Sequence, residues 1–205
     1  MRILFQGDSI TDALRNREDD RYRGAGYATL VSAKLGYEYP NQYEFINRGI
    51  SGNRISNLIA RMKMDMINLQ PDVMSILIGV NDVWHEVSRQ NGVDAELFEK
   101  LYNILIEEVK KALPNIRIII LEPFVLKGTA TEENWEYFHR EVALRAAASK
   151  RVAEKNGLEF IPLQEKLDAA LALAPEDYWL MDGVHPTAMG HELIAREWIN
   201  TFLKK

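Results

Sequence analysis

The chain of 205 residues is 47% hydrophobic and 27% charged, which suits one soluble α/β domain with a sizeable core. A net charge of −5 and a pI near 5.5 argue against nucleic acid or an anionic membrane as the main partner. With no cysteine, disulfide scaffolds, cysteine nucleophiles and cysteine-based metal centres are excluded.

The start, "MRILFQGD", holds only a short apolar run and no small-residue cleavage site, so it does not read as a secretory signal. No stretch reaches the roughly 18 apolar residues that a membrane span needs. A cytoplasmic protein is the expectation. Residues 2–6 read as a strand and 26–35 as a helix. Residues 43–47 read as a second strand, and 54–69 as a helix with Ile55, Leu58, Ile59, Met62 and Met66 on one face. A third strand is predicted at 73–78 ("VMSILI"), then a helix over 94–113 with Leu97, Leu101, Leu105 and Val109 at four-residue steps. Residues 116–121 ("IRIIIL") form the fourth strand, 132–156 a long helix, 158–161 a short fifth strand and 187–203 a closing helix.

The third and fourth strands are nearly continuous apolar runs, as expected where helices cover both faces of a parallel sheet. The alternation predicts a three-layer α/β/α sandwich with a five-stranded parallel sheet in the flavodoxin-like order 2-1-3-4-5. No linker or repeat divides the chain, so residues 1–205 read as one domain. Such sheets bind ligands at the carboxyl ends of their strands. The turns there are "GDSIT", "NRGISGN", "GVND" and "EPF", and "DGVHP" precedes the last helix.

Ser9 has two readings. A serine between a strand and a helical stretch is commonly an N-cap, its oxygen accepting a backbone N–H. At a strand end it is also well placed as a nucleophile. The G-x-S-x-G elbow is not met, because Thr11 stands where its last glycine would be. In "MDGVHP" a nucleophile would find its base. Asp182 and His185 are three apart, so the carboxylate reaches the Nδ1 side of the imidazole, and Pro186 restricts the backbone of His185. The plain alternative is a turn aspartate beside a surface histidine. Gly52 offers an unshielded backbone N–H and Asn81 a side-chain amide, donors that an oxyanion needs; in isolation each reads as a turn residue.

Together "GDSIT", the glycine of "NRGISGN", the asparagine of "GVND" and "DGVHP" resemble, in order, the four blocks of the SGNH/GDSL hydrolase superfamily, spanning residues 7 to 186. The resemblance implies Ser9 as nucleophile, His185 as base and then acid, and Asp182 as its orienting partner. It also implies an oxyanion hole of the Ser9 and Gly52 amides and the Asn81 side chain. The wording "NRGISGNR", "IGVNDVW" and "EPF" is similar to the acetylxylan and carbohydrate acetyl esterase branch. That likeness implies a serine esterase acting on short acyl, mainly acetyl, esters of sugars such as xylo-oligosaccharides.

Asp8, Arg54, Trp84 and Trp179 are the expected substrate contacts. Trp84 suits sugar stacking, Trp179 the opposite wall or a subunit contact, and Arg54 either a substrate hydrogen bond or a loop cap. The charge run at residues 15–24 reads as a solvated loop bordering the cleft. Glu136 with His139, and His191 after His185, lack the further residues of a metal motif. Neither a metal nor an organic cofactor is expected. The expected partner is a small acylated sugar, with no nucleic acid and no membrane; a homo-oligomer is compatible with the chain. The alternatives are a lysophospholipase or thioesterase with the same triad, and a non-catalytic carbohydrate-binding protein on this scaffold.

Overall fold

A computed structural model describes residues 1–204. Five parallel strands form one sheet: β1 (Arg2–Gly7), β2 (Glu44–Asn47), β3 (Val73–Leu77), β4 (Arg117–Leu121) and β5 (Glu159–Ile161), in the order β2-β1-β3-β4-β5. The register puts Phe5 level with Asn47 and with Ser75, Gly7 level with Leu77, and Leu77 level with Leu121. All the strand ends therefore empty onto one edge, and the switch in strand order lies at β1 and its two neighbours.

Side chains alternate across each strand, so one sequence feeds two cores. Ile3, Phe5, Val73, Leu77, Ile119 and Leu121 belong to one apolar cluster, and Leu4, Met74, Ile76, Ile118 and Ile120 to the other. Helices α2 (Tyr27–Glu38) and α9 (Ala188–Leu203) cover the first face. Helices α3 (Ile55–Asp65) and α5 (Ala95–Ala112) cover the second. The long α6 (Trp135–Asn156) contributes to both, through Phe138 and Val142 to the first and Ala148 and Val152 to the second. Phe5 anchors β1 beneath the first layer, its ring 5.8 Å from Tyr27 and 5.4 Å from Trp198. Burying one such side chain contributes roughly 1.5–3 kcal/mol, so the strand that delivers Ser9 is firmly seated.

The expected helix over 54–69 breaks at Met66, whose dihedrals (φ −135°, ψ −68°) leave the helical basin before a 3₁₀ turn at Ile67–Leu69. Met66 stays fully buried, so the apolar spacing runs through a break that periodicity alone cannot register. The helical stretch expected at Ser9 is the single turn α1 (Ser9–Asp12), and three helices fall where turns or irregular chain were expected: α4 (Val80–Arg89), α7 (Gln164–Ala170) and α8 (Glu176–Trp179). The segment at residues 15–24 is loop, as expected, and carries the exposed Arg21–Asp19 and Arg48–Asp20 ion pairs. Among the described residues no helix is long and apolar enough to cross a membrane.

Candidate active site

The nucleophile turn begins with a division of labour. Asp8, not Ser9, caps α1: its Oδ1 accepts the Ile10 N–H at 3.0 Å. The Ser9 hydroxyl is thereby left free, and it lies 3.0 Å from His185 Nε2. His185 Nδ1 in turn lies 2.7 Å from Asp182 Oδ2. With Nδ1–H donating to the carboxylate, Nε2 presents its lone pair to the Ser9 O–H. The structure thus brings Ser9, His185 and Asp182 into one hydrogen-bonded chain from opposite ends of the sequence.

The loop that carries His185 is closed on itself. Asp182 Oδ1 accepts the backbone N–H groups of Val184 and His185 at 2.9 and 2.8 Å, and Met181 N–H donates to the His185 carbonyl at 2.8 Å. Burial works against the charge of Asp182, but the His185 side chain and these two amides outweigh it and hold the carboxyl at about 2. The same Asp182 hydrogen bond raises the His185 imidazole above its ordinary value, against the pull of burial.

Gly52 and Asn81 both reach this edge. The Gly52 loop is docked onto the nucleophile turn, where Ile50 N–H donates to the Gly7 carbonyl at 3.1 Å and Ser51 N–H to Asp12 Oδ2 at 3.0 Å. Gly49 makes that docking possible, since a Cβ there would fall 2.3 Å from the Asp12 nitrogen. Gly52 itself sits at φ +80°, in the left-handed region that favours glycine. Asn81 lies in the first turn of α4, and its Nδ2 is buried without a hydrogen-bond partner. Ser9, Gly52 and Asn81 line one cleft of about 390 Å³ with Trp84, His85 and His185. An unpaired buried donor costs about 1–3 kcal/mol, so a Asn81 amide kept free beside a serine hydroxyl fits a site awaiting negative charge.

Three of the four expected substrate contacts lie elsewhere. Asp8 is only 1% exposed; burial pushes its carboxyl up to about 7, against the pull of the Ile10 amide and of His185. It is part of the scaffold under the cleft. Arg54 reaches sideways to the Asn91 carbonyl and to Asn91 Oδ1 at 2.9 Å, which makes it a loop cap. Trp179 donates its indole N–H to the Ala174 carbonyl at 3.2 Å and lines a separate groove between α7 and α9. Trp84 is in the cleft, 5.7 Å from the His185 ring and edge-on to Phe138 at 6.1 Å. Glu122 of "EPF" is also structural, accepting the Leu163 and Gln164 amides at 2.7 and 2.9 Å.

A second cavity, of about 510 Å³, adjoins this cleft and shares Ser9, Ser51 and His185 with it. Its wall is largely apolar, with Ile10, Ala13, Leu14, Ala25, Met181 and Ala188. His191 and Ser51 also line it, and sequence reasoning assigned neither of them to the site. Leu14 and Ala25 join it to a more open hollow beside the charged loop, so that loop borders the site. Among the described residues no three His, Asp or Glu side chains gather as a metal site.

Comparisons with known proteins point the same way as the geometry. Residues 5–193 match the GDSL-like Lipase/Acylhydrolase family. An acetylxylan esterase of Geobacillus stearothermophilus is 30% identical over 207 residues, covering 97% of this chain and 92% of that protein. The solved structure of the Geobacillus stearothermophilus acetylxylan esterase Axe2 superposes with a TM-score of 0.88 at 30% identity, covering 100% of this chain and 94% of Axe2. Alanine substitutions of a serine and of an aspartate in Axe2 are described as catalytic mutants. A structure from Parabacteroides merdae, provisionally described as a GDSL-like lipase, superposes at 0.94 with 38% identity, covering 99% of this chain and 96% of that one.

Proposed function

We propose, from the premise that this chain belongs to the GDSL-like lipase/acylhydrolase family and is a carboxylic ester hydrolase, that it removes acetyl groups from carbohydrate esters such as acetylated xylo-oligosaccharides. The hydrogen-bonded chain Ser9–His185–Asp182 beside the unpaired Asn81 amide carries the mechanistic part of this reading. The likeness to acetylxylan esterases supports the substrate class. Membership of a hydrolase family displaces the non-catalytic carbohydrate-binding alternative.

In the proposed cycle His185 Nε2 takes the Ser9 proton as Oγ attacks the ester carbonyl. The tetrahedral oxyanion is held by the Ser9 and Gly52 amides and the Asn81 side chain. Collapse breaks the bond to the alcohol oxygen, which receives the proton from His185 and leaves an acetyl-serine. Water, deprotonated by His185, then attacks that ester and frees acetate and Ser9. Asp182 stays charged throughout, stabilising the imidazolium and fixing the ring. Trp84 offers an aromatic face at the cleft.

The apolar cavity beside Ser9 supports a second reading, in which it takes an acyl chain and the enzyme is a lysophospholipase or thioesterase. Hydrolysis of p-nitrophenyl esters from acetate to palmitate separates the two. Activity falling steeply beyond butyrate, with acetate released from acetylated xylo-oligosaccharides, is expected. A maximum at eight carbons or more removes the acetyl-sugar reading and favours the lipolytic one.

A further inference from the structure

The apolar cavity contains a second histidine that the proposed cycle does not use. His191 stands in the first turn of α9, 8% exposed, with its ring stacked 6.5 Å from that of Tyr27. Its Nδ1 accepts the Tyr27 backbone N–H at 3.2 Å, satisfying one of the amides left unpaired at the start of α2. Gly26, the residue before Tyr27, packs against the same edge of the ring, where a Cβ would fall 2.9 Å from Cε1. The imidazole is therefore fixed in orientation by the backbone at the start of α2.

Its tautomer follows from the same contact. Because Nδ1 accepts, its lone pair is occupied and the hydrogen of the neutral ring is on Nε2. Burial, together with the positive charge of His185, pushes the His191 imidazole down to about 4, so the ring is neutral where His185 can act as a base. Such a ring cannot take a proton from substrate, since neither nitrogen has a free lone pair. What it has is a donor. Among the described residues Nε2 has no hydrogen-bond acceptor, although His191 lines the cavity with Ser9 and His185.

The other polar side chains on that wall are committed. Ser51 Oγ donates to Asp12 Oδ2 at 3.2 Å, and Thr187 Oγ1 donates to the Tyr178 carbonyl at 2.6 Å. Ser9 Oγ is engaged with His185. The cavity thus offers an apolar surface with a single side-chain donor to spare. The oxyanion donors Gly52 and Asn81 line the other cleft, whereas the wall from His185 through Ala188 borders this one. His185, which protonates the leaving alcohol, borders both spaces, so an alcohol seated in this one lies within its reach.

We propose that His191 Nε2–H is a specificity-determining donor, which binds an acceptor oxygen, a hydroxyl or ring oxygen, on the sugar part of the ester. This rests on the carbohydrate-ester reading and adds the atom that reads the alcohol. A sugar pressed on Met181, Leu14 and Ile10 would bury its oxygens unpaired without such a donor, and an alcohol lacking an acceptor would leave Nε2–H unpaired instead.

The test compares an acetylated methyl xyloside with phenyl acetate, whose alcohol carries no further acceptor. His191→Asn keeps an acceptor near the Nδ1 position for the Tyr27 amide but has nothing at Nε2. His191→Gln places an amide near Nε2. The Asn variant is expected to lose about five- to tenfold in kcat/KM on the xyloside, mainly through KM, and to stay within about twofold on phenyl acetate. The Gln variant recovers part of that loss. Equal losses on both esters, or none on the xyloside, overturn the proposal alone. A wild-type enzyme that cleaves phenyl acetate but no acetylated sugar removes the carbohydrate-ester reading and this proposal with it. Should the variants not fold, ¹⁵N-histidine-labelled Ser9→Ala enzyme is titrated with the acetylated xyloside. The His191 Nε2 resonance is expected in its protonated neutral form and to shift on binding; no shift at saturation overturns the proposal.

Discussion

Asp8 and Asp182 each stand next to one member of the Ser9–His185 pair, one at the end of β1 and the other in the loop before α9. Their carboxyls are pushed in opposite directions. Asp8 is 1% exposed, accepts the Ile10 amide through one oxygen and leaves its Oδ2 without a partner, and its carboxyl is pushed up to about 7. Asp182 is only half-buried, accepts two backbone amides and the His185 ring, and is held at about 2. The difference teaches that the number of donors, set against depth, decides whether an aspartate serves as a charge or as scaffold. Asp182 is built to stabilise an imidazolium, and Asp8 to fill and cap.

The largest effect that separates them is catalytic. Asp182→Asn preserves the shape of the loop but removes the charge and the acceptor that fixes the His185 tautomer. A loss of about 10⁴-fold in kcat at pH 7 is expected, by analogy with the same change in other triads. Because Asp182 raises the His185 imidazole, and the base must be neutral to act, the acidic limb of the residual kcat/KM profile should move to lower pH. A loss under tenfold, or an unmoved limb, would mean that Asp182 does not orient His185.

Asp8→Asn sharpens the same contrast from the other side. The amide oxygen still caps the Ile10 N–H, so kcat/KM at pH 8 is expected to fall by less than about tenfold. Asp8 also adds to the upward pull on His185, so the acidic limb should move down slightly, and less than with Asp182→Asn. Equal damage from the two substitutions in a pH–rate series would dissolve the distinction.

These two aspartates also mark how far the sequence could be read. The strand at "IRIIIL" was legible because both of its faces are buried, which writes a continuous apolar run. Ser9, Gly52, Asn81, Asp182 and His185 were picked out because their turns, taken together, resemble the four SGNH/GDSL blocks; alone, each also reads as a cap, turn or surface residue. The cap role of Asp8 was not, since "GDS" permits either Asp8 or Ser9 to cap and only the path of the backbone chooses between them. Helix α4 was hidden because it starts directly after Gly79, in residues that also read as an Asx turn. Trp179 misled for a related reason: it is three residues from Asp182 in the chain, yet it ends α8, before the extended Leu180, with its indole on Ala174 and the groove by α9. His191 shows the remaining limit. Its placement depends on α2, α9 and the β1 turn meeting, and no local spacing encodes that meeting.

The smallest expected effect tests the buried half of the comparison without touching Ser9 or His185. Asp82 is fully buried in α4, accepts the Ile55 amide at 3.1 and 3.3 Å, and burial pushes its carboxyl up to about 8 despite the pull of that amide and of Arg145. An acid whose folded value lies above its unfolded value contributes stability that is fully present below the unfolded value, near 3.8, and is lost as pH rises through the folded one. Asp8 acts in the same direction up to about 7. His185, raised above 6.5, also loses its contribution as pH rises past its ordinary value. His191, lowered to about 4, works oppositely, but only between about 4 and 6.5. Asp182, held at about 2, changes nothing in the neutral range. From pH 6.5 to 8 the shifted groups near the site therefore pull together, and unfolding free energy should fall across that window. Asp82→Asn keeps the Ile55 hydrogen bond and cannot ionise, so its fall should be shallower by up to about 1.4 kcal/mol per pH unit. Urea unfolding at pH 6.5, 7.2 and 8 measures both slopes, and parallel slopes for the two proteins would show that Asp82 is ionised in the fold.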